Sequence, residues 1–163
     1  MPDMPAITPC LWFDGQAEDA ANFYASIFPD SRVDAVHKAA SDTPSGPKGY
    51  VITVDFTLRG QQFVGLNGGD DFKFNEAISF MIDCADQAEV DRYWEGLTAG
   101  GGEPGPCGWL KDRFGLSWQV VPRRLIELTQ GTNADPDGAE RATQAMLRMG
   151  KIDIAELERA YAG

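Results

Sequence analysis

The order of predicted strands and helices repeats along the chain, and this repeat constrains the fold more than any single residue does. Residues 7–13 are predicted to form a strand, and a helix with one apolar face then runs as far as Pro29. Three further strands are predicted, at about 32–38, 50–58 and 61–67. The segment 41–48 contains two prolines and a glycine and predicts a loop. The same order of elements starts again near residue 77.

The second copy carries the clearer local signals. A strand at 77–84 leads into the capping box Asp86-x-x-Glu89 and a helix that ends at the glycines 100–102. That helix places four apolar side chains on one side, Val90, Tyr93, Trp94 and Leu97. A final hairpin over 108–112 and 117–121 turns at Asp112-Arg113-Phe114-Gly115.

The two copies predict an α+β protein with a curved mixed sheet. Copies at about 6–67 and 76–122 are expected to build one domain, 1–122, because 163 residues are too few for two ordinary domains. Residues 123–163 form a helical extension with possible caps at Asp137 and Asp153. Its apolar stripe is Ala142, Ala145, Met146 and Met149. Two interpretations stay open for this extension: packing on its own domain, or a role between subunits.

The charge balance excludes several partner classes. With 25 acidic and 14 basic residues the formal charge is −11, so nucleic acids and anionic membrane surfaces are expected to be repelled. The chain has neither an apolar run of membrane-spanning length nor the basic start of a signal peptide, which predicts a cytoplasmic protein. Three cysteines, Cys10, Cys84 and Cys107, have no disulfide or metal-type spacing and are expected to be reduced.

Several short segments, placed on this repeat, resemble the PhnB-like family of the vicinal oxygen chelate superfamily, often labelled 3-demethylubiquinone methyltransferase. The superfamily also contains glyoxalases, bleomycin- and fosfomycin-resistance proteins and dioxygenases. The segments that carry the likeness are Phe13-Asp14-Gly15-Gln16-Ala17, Phe28-Pro29-Asp30-Ser31-Arg32, Leu66-Asn67-Gly68-Gly69, Phe72-Lys73-Phe74-Asn75-Glu76-Ala77-Ile78-Ser79 and Cys107 to Pro122. The resemblance implies the glyoxalase/bleomycin resistance fold and a homodimer.

Metal-dependent members of the superfamily hold a cation with His or Glu at four inward positions. In this chain those positions fall at about Thr8 or Pro9, at Gly65 or Leu66, at Ser79 and at Gln119. None is a strong ligand, and a neutral Gln119 removes the charge that would hold a divalent ion. The sequence therefore predicts no metal and no other cofactor.

Two residues outside this set, His37 and Cys107, have reactive side chains whose roles the sequence leaves open. The single histidine, His37, lies on the weakest strand near the 41–48 loop, which favours a surface or structural role over a general base. Cys107 lies between Pro106 and Gly108, and Lys111 or Arg113 is positioned to activate it. An inert thiol is still the favoured interpretation, because no histidine partner can be assigned.

The remaining signal is a ligand pocket. If Ile78, Phe80, Ile82 and Cys84 face the helices, Ser79 and Met81 face the hollow of the sheet. The predicted ligand-binding residues are Trp12, Asn67, Ser79, Met81, Trp109 and Gln119. This aromatic and neutral polar set suits a small organic molecule, although packing in the core is an equal alternative for the tryptophans.

Three functions stay open at this level. The leading hypothesis is a metal-free protein that binds a small organic molecule in the sheet cleft. An enzyme is the first alternative, either of the labelled methyltransferase type or a glyoxalase-like lyase or isomerase. A glycine-rich turn for a nucleoside methyl donor is absent from the pattern, so no catalytic residue is assigned. The second alternative is a structural dimer without a ligand.

Overall fold

The computed structural model describes residues 5–163, which divide into two compact units. The first unit ends at Phe74 and the second comprises Asn75–Gly163. Each unit contains a four-stranded mixed sheet built from one strand, a helix and three more strands, so the predicted repeat and the α+β class are confirmed. No helix within 5–163 is long and apolar enough to cross a membrane. The prediction that both copies form a single domain stays a prediction.

The first unit packs one helix on one face of its sheet. Its elements are β1 (Cys10–Phe13), α1 (Ala17–Ile27), β2 (Arg32–Lys38), β3 (Val51–Leu58) and β4 (Gln61–Asn67), with strand order β1-β4-β3-β2. Tyr24 of α1 is fully buried, and its ring centroid lies 6.1 Å from that of Phe56 on β3. Phe56 stacks on Phe63 of β4 at 5.3 Å. These aromatic contacts bury the apolar face of α1 against the sheet.

The loop predicted at 41–48 is held by local hydrogen bonds. Thr43 and Gly46 form an isolated β-bridge, and the Lys48 amide donates to Asp42 Oδ1 at 2.8 Å. The Thr43 hydroxyl lies 3.0 Å from the Tyr50 hydroxyl. Short side chains that bond to nearby backbone replace the missing strand ladder in this segment.

The second unit repeats the arrangement and adds three helices. Its elements are β5 (Ser79–Cys84), α2 (Gln87–Thr98), β6 (Glu103–Pro104), β7 (Trp109–Lys111), β8 (Ser117–Pro122), α3 (Arg123–Gln130), α4 (Pro136–Met146) and α5 (Ile154–Ala162), with strand order β5-β8-β7-β6. The predicted cap at Asp86 is confirmed, because its Oδ1 accepts from the Glu89 amide. The reciprocal bond of the capping box is shifted by one residue, since Glu89 Oε2 accepts from the Ala85 amide. The predicted apolar face of α2 is buried throughout.

The start of β5 differs from the sequence interpretation. Ile78 precedes the strand and is 69% exposed, so the prediction that it faces the helices is wrong. Ile82 and Cys84 are buried as expected, whereas Phe80 is only partly buried. Period-two alternation assigns a face only within the hydrogen-bonded strand, and the ladder begins at Ser79, which pairs with Ser117.

The helical extension, residues 123–163, packs on the rest of the second unit. Gln87 of α2 donates to the Ile152 carbonyl and accepts from the Ile154 amide, both at 2.9 Å. An apolar cluster holds the three helices together: Leu125, Leu128, Ala142, Ala145, Met149, Ile152 and Leu157. The predicted cap at Asp153 is confirmed, but the α4 cap is Asp135 and not Asp137, because Pro136 occupies the first helical position.

Candidate functional site

Four of the six predicted site residues lie together on one sheet face of the second unit. Gln119 of β8 pairs with Met81 on one side and with Trp109 on the other. The Gln119 amide donates to the Ser79 hydroxyl at 2.8 Å. Met81 is 63% exposed, while Ser79, Trp109 and Gln119 are partly buried. The sheet therefore presents a mixed aromatic and neutral polar surface, as the alternation in β5 and β8 predicts.

A cavity of about 430 Å³ opens beside Trp109. Its apolar wall contains Pro104, Pro106, Trp109 and Leu110, with Gly105 and Cys107 between them. The volume lies in the usual range for small-molecule sites, roughly 300–1,000 Å³. Rigid proline and tryptophan side chains give such a wall a fixed shape, since few rotatable bonds must be ordered when a ligand binds.

Three charged side chains also line this cavity. The Lys111 ammonium forms an ion pair with the Glu76 carboxylate. Lys111 holds the pKa of Glu76 below its ordinary value by its hydrogen bond, and Glu76 in turn raises the pKa of Lys111. Glu103 of β6 pairs directly opposite Lys111 in the antiparallel ladder and also raises that pKa by its charge. Glu76 and Lys111 are therefore both charged at neutral pH.

Ser117 gives the cavity a buried hydroxyl group. This residue lines the cavity at 1% exposure, and its Oγ has no hydrogen-bond partner in the described part of the chain. Buried hydroxyls are normally paired, because an unpaired one loses its bonds to water without compensation. Sequence reasoning missed Ser117, although counting back by two from Gln119 places it on the same face.

Two further cavities in the second unit have a different character. One, of about 450 Å³, lies among Arg124, Gly131 and Tyr161. The other, of about 440 Å³, lies beside Met81 and the ion pair between Asp83 and Arg123. Within residues 5–163, the buried unpaired side-chain atoms are Thr8 Oγ1 and Ser117 Oγ, and neither lines these two cavities. The cavity beside Trp109 is therefore the strongest candidate.

Cys107 lies on the loop that forms one wall of the cavity. Its backbone has a φ of 58°, and its amide donates to the Met149 carbonyl at 2.8 Å. The two cations near Cys107 in sequence have other partners: Lys111 pairs with Glu76, and Arg113 donates to the Ala99 carbonyl at 3.3 Å. The structure thus adds no support for a nucleophilic Cys107.

Trp12, predicted for the same site, belongs to the first unit. Its indole N–H donates to the Gly69 carbonyl at 2.8 Å, and its ring meets the Phe72 ring edge-on at 4.9 Å. A Cβ on Gly68 would lie 2.4 Å from the Trp12 ring, so only glycine fits under it. Trp12 is partly buried by this segment, and its contribution to ligand binding stays a prediction.

Asn67 has a structural role that the sequence did not indicate. It pairs with Phe13, so it lies on the α1 side of the sheet. The prediction that it lies on the same side as Trp12 is therefore wrong. Its Oδ1 accepts from the Ala17 amide at 2.9 Å, and its Nδ2 donates to the Val51 carbonyl at 2.8 Å. Because the amide group satisfies the first turn of α1, we leave Asn67 out of the ligand contacts proposed below.

His37 is exposed on β2 and paired with an acid. Its Nε2 lies 2.8 Å from Asp55 Oδ2 on the neighbouring strand β3. Side-chain exposures of 48% and 42% leave this pair open to water. The surface position agrees with the sequence interpretation, which did not identify Asp55 as the partner.

The donor set at the four family positions does not fit a divalent cation. Gly65 and Leu66 offer no side-chain ligand, and Ser79 and Gln119 hydrogen bond to each other. Thr8 supplies one neutral hydroxyl. Over residues 5–163, no group of three His, Cys, Asp or Glu side chains is arranged to hold an ion. We derive no chemistry through a metal, because neutral oxygens alone bind such ions weakly.

Comparisons with known proteins agree with the fold. A family profile described as 3-demethylubiquinone-9 3-methyltransferase matches residues 5–121. A PhnB protein of Bacillus cereus that carries the same label is 32% identical, with a TM-score of 0.63 over 72% of this chain and 99% of that one. A Pseudomonas aeruginosa protein is 19% identical, with a TM-score of 0.59 over 73% and 98%. The fosfomycin resistance protein FosX of Mesorhizobium loti is 14% identical, with a TM-score of 0.51 over 72% and 89%. No curated protein gives a significant match.

Proposed function

The chain belongs to the 3-demethylubiquinone-9 3-methyltransferase family, the PhnB-like branch of the vicinal oxygen chelate superfamily, and from this premise we propose that it binds a small organic molecule in the cavity beside Trp109. The ligand has an apolar body that contacts Trp109 and the proline-rich wall. It carries at least one polar group that hydrogen bonds to Ser117. Binding needs no metal ion.

The unpaired Ser117 hydroxyl is the observation that carries this proposal. A protein core tolerates a buried polar atom without a partner at a cost of about 1–3 kcal/mol. Here the residue that carries this atom, Ser117, lines a cavity of ligand size with an apolar wall. A ligand that hydrogen bonds to Ser117 recovers the cost, so the free energy lost in the free protein is returned on binding.

The family label itself is a weaker guide to activity than this cavity. Nucleoside methyl donors usually bind at a glycine-rich turn between a parallel strand and a helix. In this chain the connection between β1 and α1, at 14–16, contains one glycine, and the connection between β5 and α2, at 85–86, contains none. Binding of a small molecule is therefore the function that the described residues support best.

Fluorescence titration with a neutral probe, N-pentyl dansylamide, tests the proposal. We expect saturable binding that Trp109→Ala weakens about ten-fold, because the variant removes the largest apolar contact of the wall. Ser117→Ala is expected to weaken binding while raising the free energy of unfolding by about 0.5–1 kcal/mol, since it deletes an unpaired buried hydroxyl. Urea denaturation measures the second effect.

A matched control separates cavity binding from adsorption to apolar surface. Leu147 is 61% exposed and lies outside the cavity, so Leu147→Ala is expected to leave probe affinity unchanged. Treatment with EDTA is expected to have no effect on the affinity. If the probe does not saturate, or if Trp109→Ala and Leu147→Ala behave alike, the proposal is wrong.

A further inference from the structure

The charges around the cavity do not balance, and this imbalance indicates the kind of ligand. Two carboxylates, Glu76 and Glu103, share the single ammonium of Lys111. Glu76 holds that ammonium in an ion pair, whereas Glu103 contributes attraction across the β6–β7 ladder. The three side chains together leave one net negative charge at the rim of the cavity.

The whole chain reinforces this local sign. With a formal charge of −11, the protein attracts small cations and repels small anions at distances up to the Debye length, about 10 Å in ordinary buffer. An anionic ligand would also need to displace Glu76 from Lys111, which exchanges one ion pair for another. A cationic ligand needs no such exchange, because Glu76 already neutralises Lys111 and the negative charge of Glu103 remains.

The cavity wall also suits an organic cation. Trp109 lies on the same sheet face as Lys111 and gives an aromatic surface of the kind that attracts ammonium groups. The buried Ser117 oxygen has lone pairs that accept from an N–H donor. This unpaired oxygen is an observation independent of the carboxylates, and it favours a ligand that carries an N–H donor.

Resting on the proposed function above, we infer that the ligand is a small protonated organic amine, with its apolar body against Trp109, its ammonium group at Glu103 and a separate N–H group toward Ser117 on the other side of Lys111. The carboxylate of Glu103 attracts the ammonium group of the ligand, and the ammonium group of Lys111 weakens that attraction. Removing Glu103 and removing Lys111 are therefore expected to change the charge preference in opposite directions.

Three dansyl probes with the same arm length test this inference. Dansylcadaverine ends in an ammonium group, N-pentyl dansylamide in a methyl group, and dansyl aminohexanoate in a carboxylate. We expect the cationic probe to bind roughly five-fold more tightly than the neutral probe, and the anionic probe to bind more weakly than both. In Glu103→Gln the ratio between the affinities for the cationic and the neutral probe is expected to fall to about one.

The opposite change and a distant charge complete the experiment. Lys111→Gln is expected to raise the cationic preference several-fold, because two carboxylates then face the ligand without a compensating ammonium. Glu95 of α2 is exposed and outside the cavity lining, so Glu95→Gln removes the same charge and should leave the ratio almost unchanged. The inference is overturned if wild type shows no cationic preference, or if Glu103→Gln and Glu95→Gln reduce it equally. In either case Trp109-dependent binding of the neutral probe would leave the proposed function standing.

Discussion

Replacing Asp112 by alanine is expected to lower the free energy of unfolding by about 4 kcal/mol, the largest effect of any substitution considered for this chain. Asp112 is 2% exposed at the turn of the hairpin between β7 and β8. Its Oδ1 accepts from the amides of Phe114 and Leu116, at 2.8 and 3.1 Å, and its Oδ2 accepts from the Trp118 indole at 2.9 Å. Alanine would leave all three donors without this acceptor.

The asparagine variant gives a graded comparison for the same residue. Asp112→Asn keeps an oxygen for the two amides but turns an N–H₂ group toward the Trp118 indole N–H, so we expect a loss of about 2 kcal/mol. Asp86→Ala serves as the reference, because it removes a single carboxylate-to-amide bond at an exposed helix cap and should cost about 1 kcal/mol. Urea denaturation followed by circular dichroism measures all three. Equal losses of unfolding free energy for Asp112→Ala and Asp86→Ala would show that the three buried hydrogen bonds of Asp112 contribute no more to stability than one exposed helix cap.

Gly108→Ala is expected to cost about 3 kcal/mol and to weaken binding of the neutral probe. Gly108 has a φ of 84°, and an added Cβ would lie 2.9 Å from the Val120 carbonyl oxygen and 3.2 Å from Ile152 Cγ1. Its amide donates to the Gly150 carbonyl, and its own carbonyl accepts from the Val120 amide, both at 2.8 Å. The residue therefore joins the hairpin to the helical extension at the wall of the cavity, where it cannot move without breaking one of these bonds.

Gly115 supplies the matched control for this substitution. Its φ of 88° is nearly the same, but an added Cβ would meet no atom within 4 Å. Gly115→Ala is thus expected to cost only the backbone strain, about 1 kcal/mol, and the difference between the two variants measures the clash at Gly108. If the dependence of the unfolding free energy on urea concentration is the same in both variants, the difference between their denaturation midpoints reports the difference in stability. If both alanine variants lose the same stability, the close packing around Gly108 does not limit the loop.

The sequence predicts the elements that repeat a local pattern. Helix α2 is predicted because Asp86 and Glu89 have the spacing of a cap and because the apolar residues after them recur at helical intervals. The strand pairing of β7 and β8 follows from two short strands around a polar turn. In such elements the residues that determine the structure are neighbours in the chain.

The sequence does not predict features that depend on distant partners. Asn67 caps the first turn of α1 from 50 positions away, and no local pattern marks it. Strand β6 contains two residues, Glu103 and Pro104, which is too short to show a period. Its pairing nevertheless places Glu103 opposite Lys111, which brings a second carboxylate to the cavity and leaves its charges unbalanced. Alternation in β5 indicates the face of Ser79 and Met81, but it carries no information about the loop and the ion pair beside Trp109.

The central claim is that the cavity of the second unit is the ligand site, and two-dimensional ¹⁵N NMR of the four tryptophan indoles tests it most directly. During titration with N-pentyl dansylamide, the indole signal that disappears in Trp109→Phe is expected to move in proportion to probe occupancy. The Trp118 signal, from a buried indole bonded to Asp112, is expected to stay nearly fixed. A saturated probe that leaves the Trp109 signal unmoved would contradict the account.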